Sequence, residues 1–566
     1  MRTASALLVY AAVLGFGLFQ TFRPTWTSGF TRVQTERGDG MLNHYILEHS
    51  WQCISNPAYP GSLSSPPCFY PQQHTLWYSE HLLGVAPFYW GLRLVLPYDL
   101  AYQWWQIILQ ALNFVSFALV MRWLRSPHTL AILGGYLWAF SLINIDQIKH
   151  QQMIPRFAMV LAVYHGWQLI AEFGMRNAES QTETQPQDEP SSSNSALRTP
   201  RSALHLNRML AAVFLQAITC VNTAWFLVTG LGTFLVLAVV LCPGVWRNLL
   251  RFVWEHLGRV SLIVGGWAGV LVAAYVPYFL VNWGHARPYG ACVELMPSWE
   301  SWLAAVPGSV WEPVVGEFRA RSHSESLLFC GFGLYLLMFT ALGSMLVSSR
   351  RRLTTDYGLA LAGVLTSLLW FAFTLKIGFD DSLWVLVRHI PGGTAIRCVS
   401  RVYVSVYLFG VLGSLIWLSR VTEHLRPAAR ILLLGGITVV CIVEQYGYDP
   451  PSFEKQDFYG IVDRTAVDLS KGDIGYFIQR YTDSKGVCLG TVYGEMLGMW
   501  AGMRANVPIV NGYSGRLPDH VYRDLEAADG PDRKVELRRW LTGKFRGKVV
   551  MISPDDPAAT EILEIE

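Results

Sequence analysis

The chain has 566 residues, of which 52% are hydrophobic and 15% charged, with 22 Trp. In soluble proteins about a quarter of residues are charged, so the composition excludes an ordinary soluble enzyme. A net charge of +3 argues against nucleic acid as a partner, and the nine Cys form no CxxC pair or zinc-like spacing.

Uncharged runs recur, such as SLLFCGFGLYLLMFTALGSMLVS at 326–348. About 20 apolar residues cross a bilayer core, so the chain reads as a polytopic α-helical membrane protein. In chain order the runs predict eleven spans: 5–22, 102–121, 129–145, 154–172, 209–222, 224–243, 260–281, 326–348, 357–375, 402–419 and 431–446. The first follows a single Arg and has no small-residue cleavage site after it. Gln20, Thr21 and Phe22 carry it past signal length, so it reads as a span. The stretch 209–243 reads as two spans. With two, Arg247, Arg251, Arg259, the RRR at 350–352, Arg420, Arg426 and Arg430 all fall inside, as the positive-inside rule asks. The N-terminus is then cytoplasmic and the C-terminus extracytoplasmic.

A membrane domain, 1–446, thus carries a long first outer loop, 23–101, and a cytoplasmic linker at about 177–203. The linker contains ESQTETQPQDEPSSSNS (179–195), too polar to bury a core, and reads as disordered. The tail, 447–566, has strand-like runs GVCLGTVYG (486–494) and KVVMIS (548–553) around a helix-like PDHVYRDLEAA (518–528). It reads as a small outer α/β domain.

Five features bear on function. In GDGMLNHYILEHSW (38–51), Met41, Leu42, Tyr45 and Ile46 recur at helical spacing behind Asp39, a residue type favoured as an N-cap. His44 and Glu48 share a face of that helix. In FYPQQHTLWYSEHLLG (69–84), Glu80 and His81 introduce a short, Pro-broken apolar run, 82–97, that suits a helix lying in the membrane interface. In IPGGTAIRCVSR (390–401), Arg397 and Arg401 lie four apart at the outer start of a span. Such a pair either holds an anion beside a helix N-terminus or snorkels to ordinary headgroups. Gln103, Gln106, Gln110 and Asn113 form a polar stripe of the kind that glues spans together. NGYSG (511–515) signals a tight loop. Cys53 and Cys68, both in the outer loop, are the pair an oxidising compartment would close.

Together these stretches resemble the GT-C superfamily of integral-membrane glycosyltransferases, to which protein O-mannosyltransferases and aminoarabinose transferases belong. GDGMLNHYIL, FYPQQHTLWYSEHLLG, IPGGTAIRCVSR and VNGYSG are similar, in the same order, to motifs of a group of uncharacterised bacterial GT-C-like proteins. The chain departs from that pattern at Gly40 and Val399, where the group often has Pro.

The resemblance implies a GT-C-like fold in an inner (cytoplasmic) membrane. It implies a polyprenyl-phosphate-linked sugar donor and a glycan, lipid or protein acceptor on the outer face. Asp39 would be the catalytic base, with Glu80 and His81 as further catalytic groups. Arg397 and Arg401 would bind substrate phosphate, with His44 and Glu48 as further substrate-binding residues. It implies no metal ligand set and leaves a divalent metal open as a cofactor. A transporter or flippase of a lipid-linked sugar needs the same groove without the base. A non-catalytic assembly protein needs neither.

Overall fold

The computed structural model describes residues 3–182, 201–242, 244–348, 354–378, 381–478, 481–482, 488–489, 491–528, 530–552 and 560–566. Helices occupy each of the eleven expected span positions: Thr3–Thr21, Tyr98–Trp123, His128–Phe140, Phe157–Thr182, Arg201–Ala217, Val221–Leu241, Leu257–Asn282, Phe332–Ser348, Thr355–Thr374, Tyr403–Val421 and Pro427–Val443. Among the described residues, seven helical segments are long and apolar enough to cross a membrane, and the helices at 332–348 and 427–443 are apolar but shorter. The protein is a polytopic helical membrane protein. Most of the linker expected to be disordered, and the RRR at 350–352, lie outside the described residues.

The segment Val399–His424 is buried from Val402 to Ser419 at the centre of the bundle. Its helix packs along Thr355–Thr374 where Gly363 and Gly413 let backbones approach: a Cβ at Gly413 would stand 2.6 Å from the Ala360 carbonyl oxygen. Small residues bring membrane helices together in this way. By contrast, none of Leu257–Asn282 is buried, and an all-apolar helix at the periphery suits contact with lipid tails. The polar stripe does join helices. Asn113 Nδ2 donates to the Ile154 carbonyl at 2.7 Å, its Oδ1 accepts from the Arg156 amide at 2.9 Å, and Gln110 donates to the Ala139 carbonyl.

The 209–243 stretch breaks between Ala217 and Val221. Glu80 supplies the cap from far away in sequence: its carboxylate accepts from the Val221 amide at 2.7 Å and from Asn222 Nδ2 at 3.0 Å. A carboxylate there satisfies orphan N–H groups and meets the positive end of the helix dipole. The interfacial run at 82–97 forms the helix Ala86–Arg93, with Phe88, Leu94 and Val95 left exposed.

The tail is not packed as a separate body. Arg32–Val33 pairs antiparallel with Phe453–Glu454. Met41, Tyr45, Leu47, Tyr102 and Trp105 share one hydrophobic core with Phe458, Trp500, Leu537 and Val549. The tail's main sheet has three strands: Ile474–Phe477 runs parallel to Gly547–Ile552, which pairs antiparallel with Glu561–Ile565. Among the described residues of the run at 486–494, Cys488–Leu489 is strand. From Thr491 the chain is a helix to Ala505, because Met496, Leu497, Trp500 and Ala501 bury one helical face in that core. Cys53 and Cys68 are both free thiols. Cys53 lies 3.8 Å from the His49 ring, and Cys68 is buried near Tyr45.

His44 and Glu48 belong to this shared core. His44 stacks on Tyr102 at 4.1 Å, contacts the Tyr459 hydroxyl at 2.8 Å and the Tyr89 hydroxyl at 3.1 Å, and burial pushes its pKa well down. Glu48 accepts from Arg93 Nε at 2.9 Å and from the Tyr89 hydroxyl at 2.6 Å. Removing one partner of a buried pair leaves an uncompensated charge and costs about 3–5 kcal/mol. Arg93→Ala is therefore expected to lower the melting temperature of the detergent-purified protein by that equivalent. An unchanged melting curve would mean that the pair anchors nothing.

Candidate functional site

Asp39 opens the helix Asp39–Ser55, but it does not cap it. Gly38 holds the N-cap position, and Asp39 is the first helical residue. Its half-buried carboxylate turns away from its own helix. Oδ1 accepts from the Tyr513 hydroxyl at 2.7 Å, and Oδ2 lies 3.2 Å from His150 Nδ1. Three distant segments therefore meet at one carboxylate. Gly40 allows the meeting, since a Cβ there would stand 1.7 Å from Thr35 Oγ1. Thr35 in turn accepts from Gln151 in the turn beside His150. Asn43 donates to both the Asp39 carbonyl and Gln152 Oε1, each at 2.7 Å, and ties the helix to that turn.

His150 is 3% exposed, and its other nitrogen lies 2.9 Å from Glu325 Oε1. The result is a chain of carboxylate, imidazole and carboxylate. Glu325 also accepts from Cys398 Sγ at 3.3 Å and faces Arg401 Nη2 at 3.9 Å. Burial pushes Asp39 up, but the His150 and Tyr513 hydrogen bonds and the Arg401 charge outweigh it and hold the carboxyl below its usual range. Glu325 behaves alike, with His150 and Arg401 overcoming burial. Burial pulls His150 down, but its two carboxylates hold it above its ordinary value. Burial and the Asp39 charge push Tyr513 up, so it stays a neutral donor.

Glu36 adds a third acid. Burial pushes it up, with His150 opposing and Asp39 reinforcing. Glu36, Asp39 and His150 each offer a ligand atom within 4.8 Å of the others. Two carboxylates and an imidazole are donors that suit a divalent cation. The carboxylates considered from sequence, Asp39, Glu48 and Glu80, are not the set that meets. Glu48 is held by Arg93, and Glu80 at the Val221–Leu241 helix.

Beside the acids lies a group of arginines. Arg287 Nη2 donates to the Gly515 carbonyl at 3.0 Å, Arg388 Nη2 to the Arg287 carbonyl at 2.8 Å, and Arg516 Nη1 to the Val281 carbonyl at 2.7 Å. Arg397 is exposed nearby, close enough for its charge to act on Arg287 and Tyr513. Burial and the like charges of Arg397 and Arg401 together press the Arg287 pKa down. Among the described residues, none of Arg287, Arg388, Arg397 and Arg516 forms an ion pair with a carboxylate.

Of the residues singled out from sequence, Asp39 and Arg401 come together with this cluster, and Arg397 stands at its rim. His81 does not join it. Burial pushes its pKa down to about 4, and its Nδ1 accepts from the Leu83 amide at 3.1 Å. His150, Glu325, Glu36, Tyr513 and Arg287 were not signalled as site residues. His150 lies in a short segment between two spans, Glu325 just before a span, and Tyr513 inside a motif read only as a loop.

Two solved structures are similar to this chain at low identity. One is the archaeal oligosaccharyltransferase AglB from Archaeoglobus fulgidus, in complex with an inhibitory peptide and a dolichol-phosphate. It is 10% identical, with a TM-score of 0.47 over 96% of this chain and 69% of that one. The other is ArnT from Cupriavidus metallidurans bound to undecaprenyl phosphate, 12% identical, with a TM-score of 0.39 over 97% and 93%. No family model and no curated protein matches the chain.

The ion pairs set a pH dependence. A His whose folded pKa is raised stabilises fully below its unfolded value of about 6.5, and that contribution is lost as pH rises through the folded value. The lowered Asp39 and Glu325 act at the other end, stabilising above about 4 and losing this as pH falls through their folded values. His150 is faced by Asp39, Glu325, Glu36 and Arg401. His150→Gln should therefore flatten the loss of stability on the alkaline side in a pH series of melting curves. Parallel curves for variant and parent would refute the pairing. Separately, titration with Mn²⁺ should weaken about tenfold or more in Asp39→Asn, the size usual for disturbing a metal site. Equal affinity in both would remove the three-ligand set as a cation site.

Proposed function

We propose that the protein transfers a sugar from a polyprenyl-phosphate-linked donor to a hydroxyl acceptor on the outer face, with inversion and with Asp39 as general base. The observation that carries this reading is the Asp39 carboxylate, held by Tyr513 and His150, in one cluster with Arg401, Arg397 and Arg287, of which Arg397 and Arg287 form no ion pair with a carboxylate among the described residues. A base near guanidinium groups is what glycosyl transfer from a lipid phosphate asks for, and the sequence motifs point to the same chemistry.

The acceptor oxygen attacks the anomeric carbon as its proton moves to Asp39, and the bond to the donor phosphate breaks. The phosphate leaves as an anion. Arg397 and Arg287 offer it planar, charged N–H donors, and Arg401 adds positive charge from below. Tyr513 and His150 fix the direction of the Asp39 carboxylate, so its catalytic value comes from position. An unperturbed Asp already ionises near pH 4, and the lowered value keeps it ionised. A divalent cation held by Glu36, Asp39 and His150 would add positive charge next to the leaving phosphate. Glu80, His81, His44 and Glu48 hold helices and the shared core around the site.

General-base catalysis typically contributes about 10²–10⁴-fold. Asp39→Asn is expected to lower turnover by that order while the protein keeps its donor affinity, because Asn leaves the arginines in place. Asp39 does not cap its helix, so stability should shift only through the lost His150 pairing. Arg397→Ala should instead weaken donor binding by about 1.5–3 kcal/mol, the usual size for a charged hydrogen bond. A folded Asp39→Asn protein with full turnover would exclude Asp39 as the base. Transport of intact donor, undiminished in Asp39→Asn, would favour a flippase.

A further inference from the structure

A short helix joins two spans at the end of the bundle away from the candidate site. Val221–Leu241 begins at the Glu80 cap, and Leu257–Asn282 ends where Arg516 donates to the Val281 carbonyl. Both spans therefore have their site ends there, and the helix between them, Val245–Glu255, crosses the far end. Gly244, at a φ of +78°, and His256 set it off from the two spans.

This helix has three faces. Val245, Asn248 and Phe252 are buried. Asn248 donates to the Phe173 carbonyl at 2.7 Å, and the Phe252 ring lies 5.5 Å from the Phe173 ring. The second face repeats every four residues and is open: Trp246, Leu250 and Trp254 are 50%, 47% and 75% exposed. The third carries Arg247 and Arg251, exposed and one turn apart, so they share a side of the helix. The Arg247 guanidinium lies over the Trp246 ring, 5.9 Å from its centroid.

Apolar and cationic faces side by side are the pattern of a helix lying in a membrane interface, and Trp belongs at headgroup level. Charge decides which headgroup. Among the described residues Arg247 and Arg251 form no ion pair, and Glu255 is the only acid of the helix. A guanidinium fork fits a phosphate. In a zwitterionic lipid the phosphate already has its own cation, whereas an anionic lipid leaves the phosphate charge to the protein. Arg125 and Arg426 are exposed at the same end of the bundle but lie outside any helix.

We infer that the Val245–Glu255 helix is a docking surface for anionic phospholipid in the leaflet facing away from the candidate site. Arg247 and Arg251 hold the headgroup phosphate, and Trp246, Leu250 and Trp254 lie against the acyl chains. The buried face grips Phe173, so lipid bound here holds the two joined spans against Phe157–Thr182. This inference stands apart from the proposed sugar transfer.

The test titrates the purified full chain in detergent with phosphatidylglycerol or with phosphatidylcholine of the same acyl chains and follows the melting temperature. The expected result is a rise that saturates with phosphatidylglycerol and is much smaller with phosphatidylcholine. Replacing both arginines, Arg247→Gln with Arg251→Gln, should raise the half-saturating phosphatidylglycerol concentration about tenfold or more. Arg125→Gln with Arg426→Gln makes the same charge change at the same end and should keep the parent's response. All four side chains are exposed, so both paired variants should fold. Equal stabilisation by the two lipids, or an equal loss of response in the two paired variants, would overturn the inference.

Discussion

The candidate site depends on one carboxylate that three separate parts of the chain must meet to hold. Asp39 comes from the first outer loop, His150 from the turn between two spans, and Tyr513 from the tail. None of these contacts is local in sequence, so the carboxylate is placed only when the bundle, loop and tail are packed together. That explains why the tail shares a core with the outer loop instead of folding apart. Trp500 donates to the Met41 carbonyl at 3.3 Å, and a Cβ at Gly512 would stand 2.5 Å from the Phe69 ring. The first contact presses the tail against the Asp39 helix, and the second sets Gly512, beside Tyr513, against the outer loop.

The charge balance around this carboxylate is uneven by construction. On its inner side, His150, Glu325 and Arg401 form a closed chain of opposite charges. On its outer side, Arg287, Arg388 and Arg516 donate to backbone carbonyls, and among the described residues neither they nor Arg397 form an ion pair with a carboxylate. The closed side holds Asp39 ionised, and the open side leaves positive charge facing outward. A phosphate brought there by a lipid would complete the balance and stand beside the base. Specificity for the sugar then lies in groups that neither charge pattern names.

Much of the fold was legible because spans follow a simple rule of length and apolarity. All eleven predicted positions carry helices, seven segments among the described residues are long and apolar enough to cross a membrane, and the 209–243 stretch breaks between Ala217 and Val221. The site was only partly legible. Asp39 and the two arginines stand in motifs with a local signal. His150 and Glu325 stand in short segments whose only signal is a titratable residue on the outer side of the bundle, and their meaning comes from contacts 111 and more residues away. Glu80 and His81 looked reactive because charge beside an apolar run is rare. The Glu80 carboxylate caps a helix that begins 141 residues later, which no local pattern reveals. The capping role expected of Asp39 failed because Gly38 takes that position and frees the acid.

The central claim is that the bond between sugar and lipid phosphate is broken at Asp39. Following both halves of a labelled polyprenyl-phosphate sugar by mass spectrometry, with the purified protein in liposomes, tests it most directly. The account predicts that free polyprenyl phosphate appears in step with glycosylated acceptor and only when acceptor is present. Donor that crosses the bilayer intact, with no polyprenyl phosphate released under any acceptor, would contradict it.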